Sequence, residues 1–277
     1  MLMQNTNTAN KSADRVGDLL REWRQRRRIS QLHLALEAGI SQRHLSFVES
    51  GRAAPSREMV LNLAETLAVP LRDRNRLLLS AGYAPSFAER SLGDPLLKPA
   101  MEAVQRILDG HSPNPALAID GHWNMLLANG AITLLLTEVQ DKSLLEPPVN
   151  ALRLSLHPQG LAPNILNLTE WRAHVLERLR GINDLVADPV LADLEEELSS
   201  YPGGRRSHRP TANHAGNIAV PFQIRLGAAE LSFITTTTVF GAPLDITLSE
   251  LAIESFFPSD EVTARFLREA QADGRIG

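Results

Sequence analysis

The chain has 277 residues, enough for two domains that each bury a hydrophobic core. It contains no cysteine, which excludes disulfide bonds, thiolate metal sites and cysteine nucleophiles and fits a reducing cytoplasm. No run of about 18 apolar residues is present, so we expect no membrane span.

The net charge of −4 conceals an asymmetry along the chain. Residues 11–80 carry 13 Lys or Arg against 8 Asp or Glu, a balance of +5, whereas residues 81–277 carry 15 against 24, a balance of −9. Cationic side chains bind phosphates, and an acidic surface is repelled by a nucleic acid duplex. The charges therefore favour a nucleic acid partner for the N-terminal part alone.

The first 13 residues are polar and are predicted to form a disordered tail. A helical domain is expected over residues 14–82, beginning with a helix over about residues 14–28 that ends in four arginines. Serines in N-cap positions precede each of the next three predicted helices. These serines are Ser30, Ser41 and Ser56. A fifth helix is predicted over residues 71–81.

Residues 30–51 predict two short helices around a tight turn. Gly39 supplies the positive φ that ends the first of them. Leu45 and Val48 give the second helix an inward face, which leaves amide, guanidinium, hydroxyl and aromatic groups on its outward side. Such a helix has the groups needed to read base edges in a major groove. The alternative is an ordinary helical hairpin in an all-α core.

This stretch resembles the helix-turn-helix of the Cro/CI-like (XRE) family. The matching residues, in a register running from Arg24 to Leu67, are Ala35, Gly39-Ile40-Ser41, Leu45, Val48, Glu49, Gly51 and Pro55-Ser56. The resemblance implies double-stranded DNA as partner, a homodimer on a near-palindromic operator, and a structural pair between Arg24 and Glu49. We expect base or phosphate contacts from Gln31, Ser41, Gln42, Arg43, Ser46, Phe47 and Arg52.

Residues 83–110 are expected to form a linker and a connecting helix, and residues 111–277 a second domain. After Pro115 the apolar period changes to that of strands. Two short strands are predicted over 116–120 and 122–127, joined by a hairpin turn at Asp120-Gly121. Predicted helices follow at about 129–136, 151–156, 171–180 and 190–200, and a polar loop is predicted over 202–210. Three strands are then predicted over 218–226, 230–240 and 245–256, and a last helix over 260–270.

The order of strands and helices in the second domain resembles a PAS-like sensor. Residues 46–60, 152–179 and 230–258 are similar to the MmyB-like regulators of bacteria, in which a ligand-binding domain follows the helix-turn-helix. The fold implied is an all-α five-helix lambda-repressor-like domain followed by an α+β PAS-like domain with a small antiparallel sheet. The resemblance implies a cytoplasmic transcription regulator that responds to a small apolar, fatty-acid-like effector.

Several large side chains are expected to face one another across that sheet and to surround the effector. A pocket is mostly apolar with a few polar groups, but a plain core has the same composition, so both interpretations stay open. The apolar candidates are Trp123, Trp171, Val175, Phe222, Phe233 and Ile234, and the polar candidates are Asn129, Arg172 and Thr236.

No motif of an enzyme, cofactor site or metal site stands out in the sequence. It lacks a G-x-S-x-G elbow, a P-loop, an H-E-x-x-H helix and a dinucleotide-binding fingerprint. We therefore expect no catalysis and no cofactor. Two alternatives remain for the second domain, namely an enzyme attached to a DNA-binding module, and a dimerisation domain without a ligand.

Overall fold

The structure is a computed structural model that describes residues 15–203 and 219–276. The chain divides into two compact units, one ending at Ala88 and the other beginning at Glu89. The predicted tail over residues 1–13 lies outside the described residues. So do residues 204–210 of the predicted polar loop and Ile218, the first residue of a predicted strand.

The described part of the first unit contains five helices, α1 (Val16–Arg26), α2 (Gln31–Glu37), α3 (Gln42–Glu49), α4 (Arg57–Thr66) and α5 (Leu71–Ser80). The hydroxyls of Ser30, Ser41 and Ser56 each accept a backbone N–H three residues further on, at 3.1–3.2 Å. These caps satisfy donors that a helix start leaves free, which explains where α2, α3 and α4 begin.

The core of the first unit is formed by one face of each helix. In α2, Leu34 and Ala35 are buried, whereas Leu32 is 62% exposed. Helix α2 therefore buries only a narrow stripe, and Leu32 lies outside it. The buried set includes Leu20, Trp23, Leu34, Leu45, Val48, Leu63 and Leu77.

Helix α1 lies close to the backbone of α3 at Gly17. A Cβ atom built on this residue would lie 2.3 Å from the carbonyl oxygen of Val48 and 2.8 Å from that of Glu49. Both of these neighbours are backbone atoms, which cannot rotate away as a side chain can. The absence of a side chain at position 17 therefore fixes the distance between the first helix and the helix that carries the outward polar residues.

We expect Gly17→Ala to lower the free energy of unfolding of the first unit by about 1–3 kcal/mol, because the added methyl group overpacks a filled contact. Hydrogen exchange of the backbone amides in each unit, at increasing urea concentration, measures this. The matched control is Gly181→Ala in a helix of the second unit, where a Cβ meets nothing within 4 Å. That change should stabilise by about 0.5–1 kcal/mol, the ordinary gain of alanine in a helix. Equal effects at both positions would contradict the close-approach argument.

The described part of the second unit begins with α6 (Lys98–Gly110) and the hairpin strands β1 (Ala116–Ile119) and β2 (Met125–Ala128). Four helices follow: α7 (Ile132–Leu136), α8 (Ala151–Leu156), α9 (Leu168–Val186) and α10 (Pro189–Ser200), with short 3-10 turns at Lys142–Leu145 and Ala162–Asn164. The remaining elements are β3 (Phe222–Leu226), β4 (Ala229–Val239), α11 (Ile246–Ser249), β5 (Ala252–Pro258) and α12 (Glu261–Ala272).

The five strands form one antiparallel sheet in the order β2-β1-β5-β4-β3. The register places Leu117 of β1 and Thr237 of β4 on either side of Glu254 in β5, so these three side chains lie on one face. That face carries the main core, under helices that include α9 and α10. On the other face, Val104 and Leu108 of α6 pack against β1 and β5. The expected connecting helix is thus packed on the sheet.

Two predicted strands begin later than their sequence indicated. The turn extends over residues 121 and 122, and the Asp120 carboxylate accepts the backbone N–H groups of His122 and Asn124 at 2.8 Å, so β2 starts at Met125. The predicted strand over 245–256 was wrong in its first half. The Asp245 carboxylate caps the helical turn α11 by accepting the N–H of Thr247, and the strand starts at Ala252.

The predicted fold class is confirmed: a helical domain precedes an α+β domain with a small antiparallel sheet. Within the described ranges, none of the helices is both long and apolar enough to cross a membrane.

Candidate functional site

Helix α3 presents a polar outward face in the first unit. Gln42 and Arg43 are exposed in its first turn, and Ser46 and Phe47 lie one turn further on, partly exposed. Ser41 caps the helix by accepting the N–H of His44 at 3.1 Å. Because residues four apart are neighbours on a helix, Gln42 lies beside Ser46 and Arg43 beside Phe47. The structure thus brings five of the predicted contact residues together.

The ring of Phe47 supports two arginines. The guanidinium carbon of Arg43 lies 5.4 Å from the ring centroid, and that of Arg52, in the turn after α3, lies 5.9 Å from it. A cation over an aromatic face is held by the ring quadrupole. Both arginines remain exposed. Phe47 therefore holds two guanidinium groups on one side of the helix, a role that sequence reasoning did not find.

Glu49, at the end of α3, is 1% exposed and is the centre of an ion-pair network. Its carboxylate accepts Nε and Nη2 of Arg24 at 2.6 and 2.9 Å, and the amide of Gln31 at 2.8 Å. Arg21 donates to the Glu49 carbonyl at 3.0 Å, and its Nε lies 3.6 Å from the carboxylate. The network joins the C-terminal end of α3 to α1 and to the start of α2.

The charge of Glu49 is stabilised in the folded protein. Burial raises the pKa of this carboxyl, but the hydrogen bonds from Arg24 and Gln31 and the charges of Arg24 and Arg21 outweigh burial and lower it. The hydrogen bond to Glu49 raises the pKa of Arg24 as well. The pair is therefore fully ionised at neutral pH.

Gln31 has an internal contact that the sequence did not predict. Its side-chain amide donates one N–H to Glu49 at 2.8 Å, so only the second N–H remains for a phosphate. The start of α2, where Gln31 lies, is capped by the Ser30 hydroxyl, which accepts the N–H of His33.

The second unit contains a cavity of about 80 Å³ between the sheet and helices α7, α8 and α9. Most of its lining residues are apolar. Space for one water molecule needs only about 10–15 Å³, so the cavity has room for a larger molecule. The apolar lining consists of Leu117, Trp123, Met125, Ile132, Leu135, Leu136, Ala151, Leu152, Leu154, Leu161, Trp171, Val175, Phe222 and Phe256.

The cavity has one polar wall, formed by His174 and Arg178 of α9 with Thr235 of β4 and Glu254 of β5. The guanidinium of Arg178 donates to both carboxylate oxygens of Glu254, at 2.6 and 3.2 Å. Ser155 also lines the cavity, and its hydroxyl accepts the indole N–H of Trp171 at 2.9 Å.

Trp123 lies beside this wall in an unusual backbone conformation. Its φ is +67°, which is rare for a bulky residue and costs about 1–3 kcal/mol. The turn around it is held by hydrogen bonds to the Asp120 carboxylate, and Arg178 lies 4.6 Å from the centroid of its ring. Such strain is concentrated at binding sites, and here it places the indole against the cavity.

The structure separates the predicted ligand-binding residues into two groups. Trp123, Trp171, Val175 and Phe222 border the cavity. Phe233 is fully buried behind Phe222, with ring centroids 6.3 Å apart, and belongs to the core.

Four further candidates do not border the cavity and are corrected here. Asn129 is buried, but its amide donates to the carbonyls of residues 108 and 114, so it ties backbone segments together. Arg172 donates to the carbonyls at the end of α10. Thr236 and Ile234 lie on the opposite face of β4, because Phe233 faces inward and strand side chains alternate.

The polar lining residues that were not among the predicted site residues are Arg178, Glu254, His174, Thr235 and Ser155. One signal was available: Trp171, Val175 and Arg178 are spaced by four and three residues, so they share one face of α9. An isolated glutamate in the apolar strand β5 was a second signal. Neither shows from sequence alone that the arginine and the glutamate meet.

Comparison with known families identifies both units. The helix-turn-helix family model matches residues 20–73, and the MmyB-like transcription regulator ligand binding domain matches residues 100–270, more than half of the chain. No curated protein matches the chain. In the described part of the chain, no three His, Asp or Glu side chains are grouped so that they could hold a metal ion. The chain belongs to the MmyB-like transcription regulators, with a helix-turn-helix for DNA and a ligand-binding domain behind it.

Proposed function

We propose that the protein acts in the cytoplasm as a homodimer on a near-palindromic operator and that a small apolar effector in the second unit changes its DNA affinity. The observation that carries this proposal is the cavity of about 80 Å³ in a unit that matches a ligand-binding family. A two-fold dimer explains how one short helix gains specificity, because it reads two half-sites one helical turn apart.

The outward face of α3 supports direct base reading. An amide pairs with adenine and a guanidinium with guanine in the major groove. Gln42 and Arg43 supply these two groups, and the Arg43 guanidinium lies 5.4 Å from the centroid of the Phe47 ring. Arg52 lies on the same ring from the other end of the helix and is suited to a phosphate. Base reading by Gln42, Arg43, Ser46 and Phe47, with positioning by Ser41, Gln31 and Arg52, is the assignment we propose.

The apolar walls of the cavity support an effector with a hydrocarbon chain, as in a fatty acid. Trp123, Trp171, Val175 and Phe222 supply much of this surface. Burial of apolar ligand surface contributes about 25 cal/mol per Å², so even a short chain gains useful affinity here. An effector of this kind changes operator affinity only by the difference in its affinity for the DNA-bound and free arrangements.

We expect Arg43→Ala to weaken binding to the selected operator by about 1–3 kcal/mol and to change binding to random duplex DNA far less. The operator is first obtained by selecting bound duplexes from a random pool with the wild-type protein. Titrations by fluorescence anisotropy then compare selected and random DNA. The matched control is Arg76→Ala, which removes the same charge from a 61% exposed side chain on α5. Equal losses on both DNAs with Arg43→Ala would assign Arg43 to phosphate binding.

The selected sequences also test the dimer. We expect two inverted half-sites and two chains per duplex in sedimentation velocity runs with labelled DNA. A single asymmetric site bound by one chain would contradict the dimer while leaving the base-reading face unaffected.

A further inference from the structure

The charges on the polar wall of the cavity are paired with each other. Arg178 and Glu254 share two hydrogen bonds, the shorter of 2.6 Å, and Glu254 is only 6% exposed. The hydroxyl of Thr237 accepts Nη2 of Arg178 at 2.6 Å and donates to Glu254 at 2.9 Å. The Arg178 guanidinium also lies against the ring of Trp123. The cation and the anion therefore satisfy each other within the protein.

This pairing is unfavourable for a ligand with a charged head group. A carboxylate that enters the cavity loses its hydration, which costs several kcal/mol unless a free counter-charge replaces the water. Arg178 is already neutralised, and the buried charge of Glu254 repels a second carboxylate. An ammonium group meets the reverse arrangement, since Glu254 is neutralised and Arg178 repels it. Neither charged head group gains an ion pair.

The third polar group of the wall, His174, suits an uncharged partner. Burial, together with the charge of Arg178, lowers the pKa of His174, so the imidazole is neutral at neutral pH. A neutral imidazole offers one donor and one acceptor. It can therefore bond a carbonyl or hydroxyl oxygen without an ionic partner. The ring lies beside Trp171, with centroids 5.7 Å apart, and borders the cavity.

We propose that the cavity selects uncharged ligands, namely apolar chains that end in a neutral oxygen function such as an alcohol, an ester or a ketone. Glu254 is the residue that excludes the free acid, because it is ion-paired with Arg178. Among the described residues, Arg178 is the only cation that borders the cavity. This inference rests on the proposed effector role of the cavity, and it replaces the acid head of a fatty-acid-like effector with a neutral one.

The test compares four probes with the same chain length on the full-length protein at neutral pH: octanol, methyl octanoate, octanoate and octylamine. Binding is measured by calorimetry and by tryptophan fluorescence, since Trp123 and Trp171 border the cavity. We expect octanol and methyl octanoate to bind at least about tenfold more tightly than the two charged probes. Octanoate as the tightest of the four would overturn the inference and leave the effector role standing. If none of the probes binds, both this inference and the proposed effector role are contradicted.

A single substitution tests the role of Glu254. Glu254→Gln keeps the shape of the side chain but leaves Arg178 without a counter-charge, so octanoate should gain at least about tenfold over octanol relative to wild type. The control is Glu197→Gln. This change breaks the 2.7 Å ion pair between Glu197 and Arg153, neither of which borders the cavity, so the order of affinities of the four probes should stay unchanged. An unchanged order in a folded Glu254→Gln protein would overturn the assignment. If that variant does not fold, the order of the probes on the wild type decides.

Discussion

Replacing Glu49 by alanine should lower the free energy of unfolding of the first unit by about 3–5 kcal/mol, the cost of breaking a buried ion pair on one side. The Arg24 side chain is 12% exposed and would lose both of its bonds to the carboxylate. Gln31 would lose its partner as well. Hydrogen exchange of the backbone amides of α1 and α3 at increasing urea concentration measures the loss for this unit.

The matched control for this prediction is Glu22→Ala. Glu22 also pairs with an arginine of α1, at 2.7 Å to Arg26, but its side chain is 61% exposed. A surface pair contributes under about 1 kcal/mol, so this variant should unfold almost as the wild type does. If Glu49→Ala unfolds like Glu22→Ala but binds other operator sequences, Glu49 acts in DNA recognition and the structural assignment fails.

The same network predicts a dependence on pH. The pKa of Glu49 is lowered in the folded unit, so its contribution to stability is complete above the pKa of an unfolded glutamate, about 4.3. The contribution is lost as the pH falls from there through the lower folded pKa. Between these two values the wild type should lose stability more steeply than Glu49→Gln, which has no carboxyl to protonate. Parallel curves for the two proteins would contradict the lowered pKa.

The first unit could be predicted from sequence because its signals are local. Ser30, Ser41 and Ser56 determine helix starts, and each acts on an N–H only three residues away. The Arg24–Glu49 pair spans 25 residues, and only a family resemblance predicted it. The contact of Gln31 with the same carboxylate was missed. The residues around Gln31 do not indicate whether its amide faces solvent or a neighbouring helix.

The cavity could be predicted only in part, because strand and helix faces depend on distant contacts. Four consecutive threonines in β4, residues 235–238, give no sequence signal for which two of them face inward. Thr235 faces the cavity because Phe233, two residues earlier on the same strand, faces inward. Arg172 follows Trp171 directly and so points about 100° away around α9, whereas Arg178 lies near its face. Glu254 reaches Arg178 because β5 pairs with both β1 and β4, an arrangement that the sequence order alone does not show.

Filling the cavity should abolish the response to an effector without unfolding the second unit. Ala151 borders the cavity on α8, one turn before Ser155, whose hydroxyl bonds Trp171. We expect methyl octanoate, at about 100 times its Kd, to raise the free energy of unfolding of the wild-type second unit by about 2.7 kcal/mol. Ala151→Trp should remove this gain, because the indole takes the space of the ligand.

The control for that variant is Ala173→Trp, which adds the same side chain at an exposed position of α9 and should keep the full stabilisation. Operator affinity supplies a second measurement. If DNA and the ligand prefer different arrangements of the protein, the ligand changes the operator Kd by the same factor by which DNA changes the ligand Kd. Methyl octanoate should therefore alter the operator Kd of the wild type and of Ala173→Trp, but not that of Ala151→Trp. If Ala151→Trp is stabilised as strongly as the wild type, the ligand binds outside this cavity and the proposed route from effector to DNA is wrong.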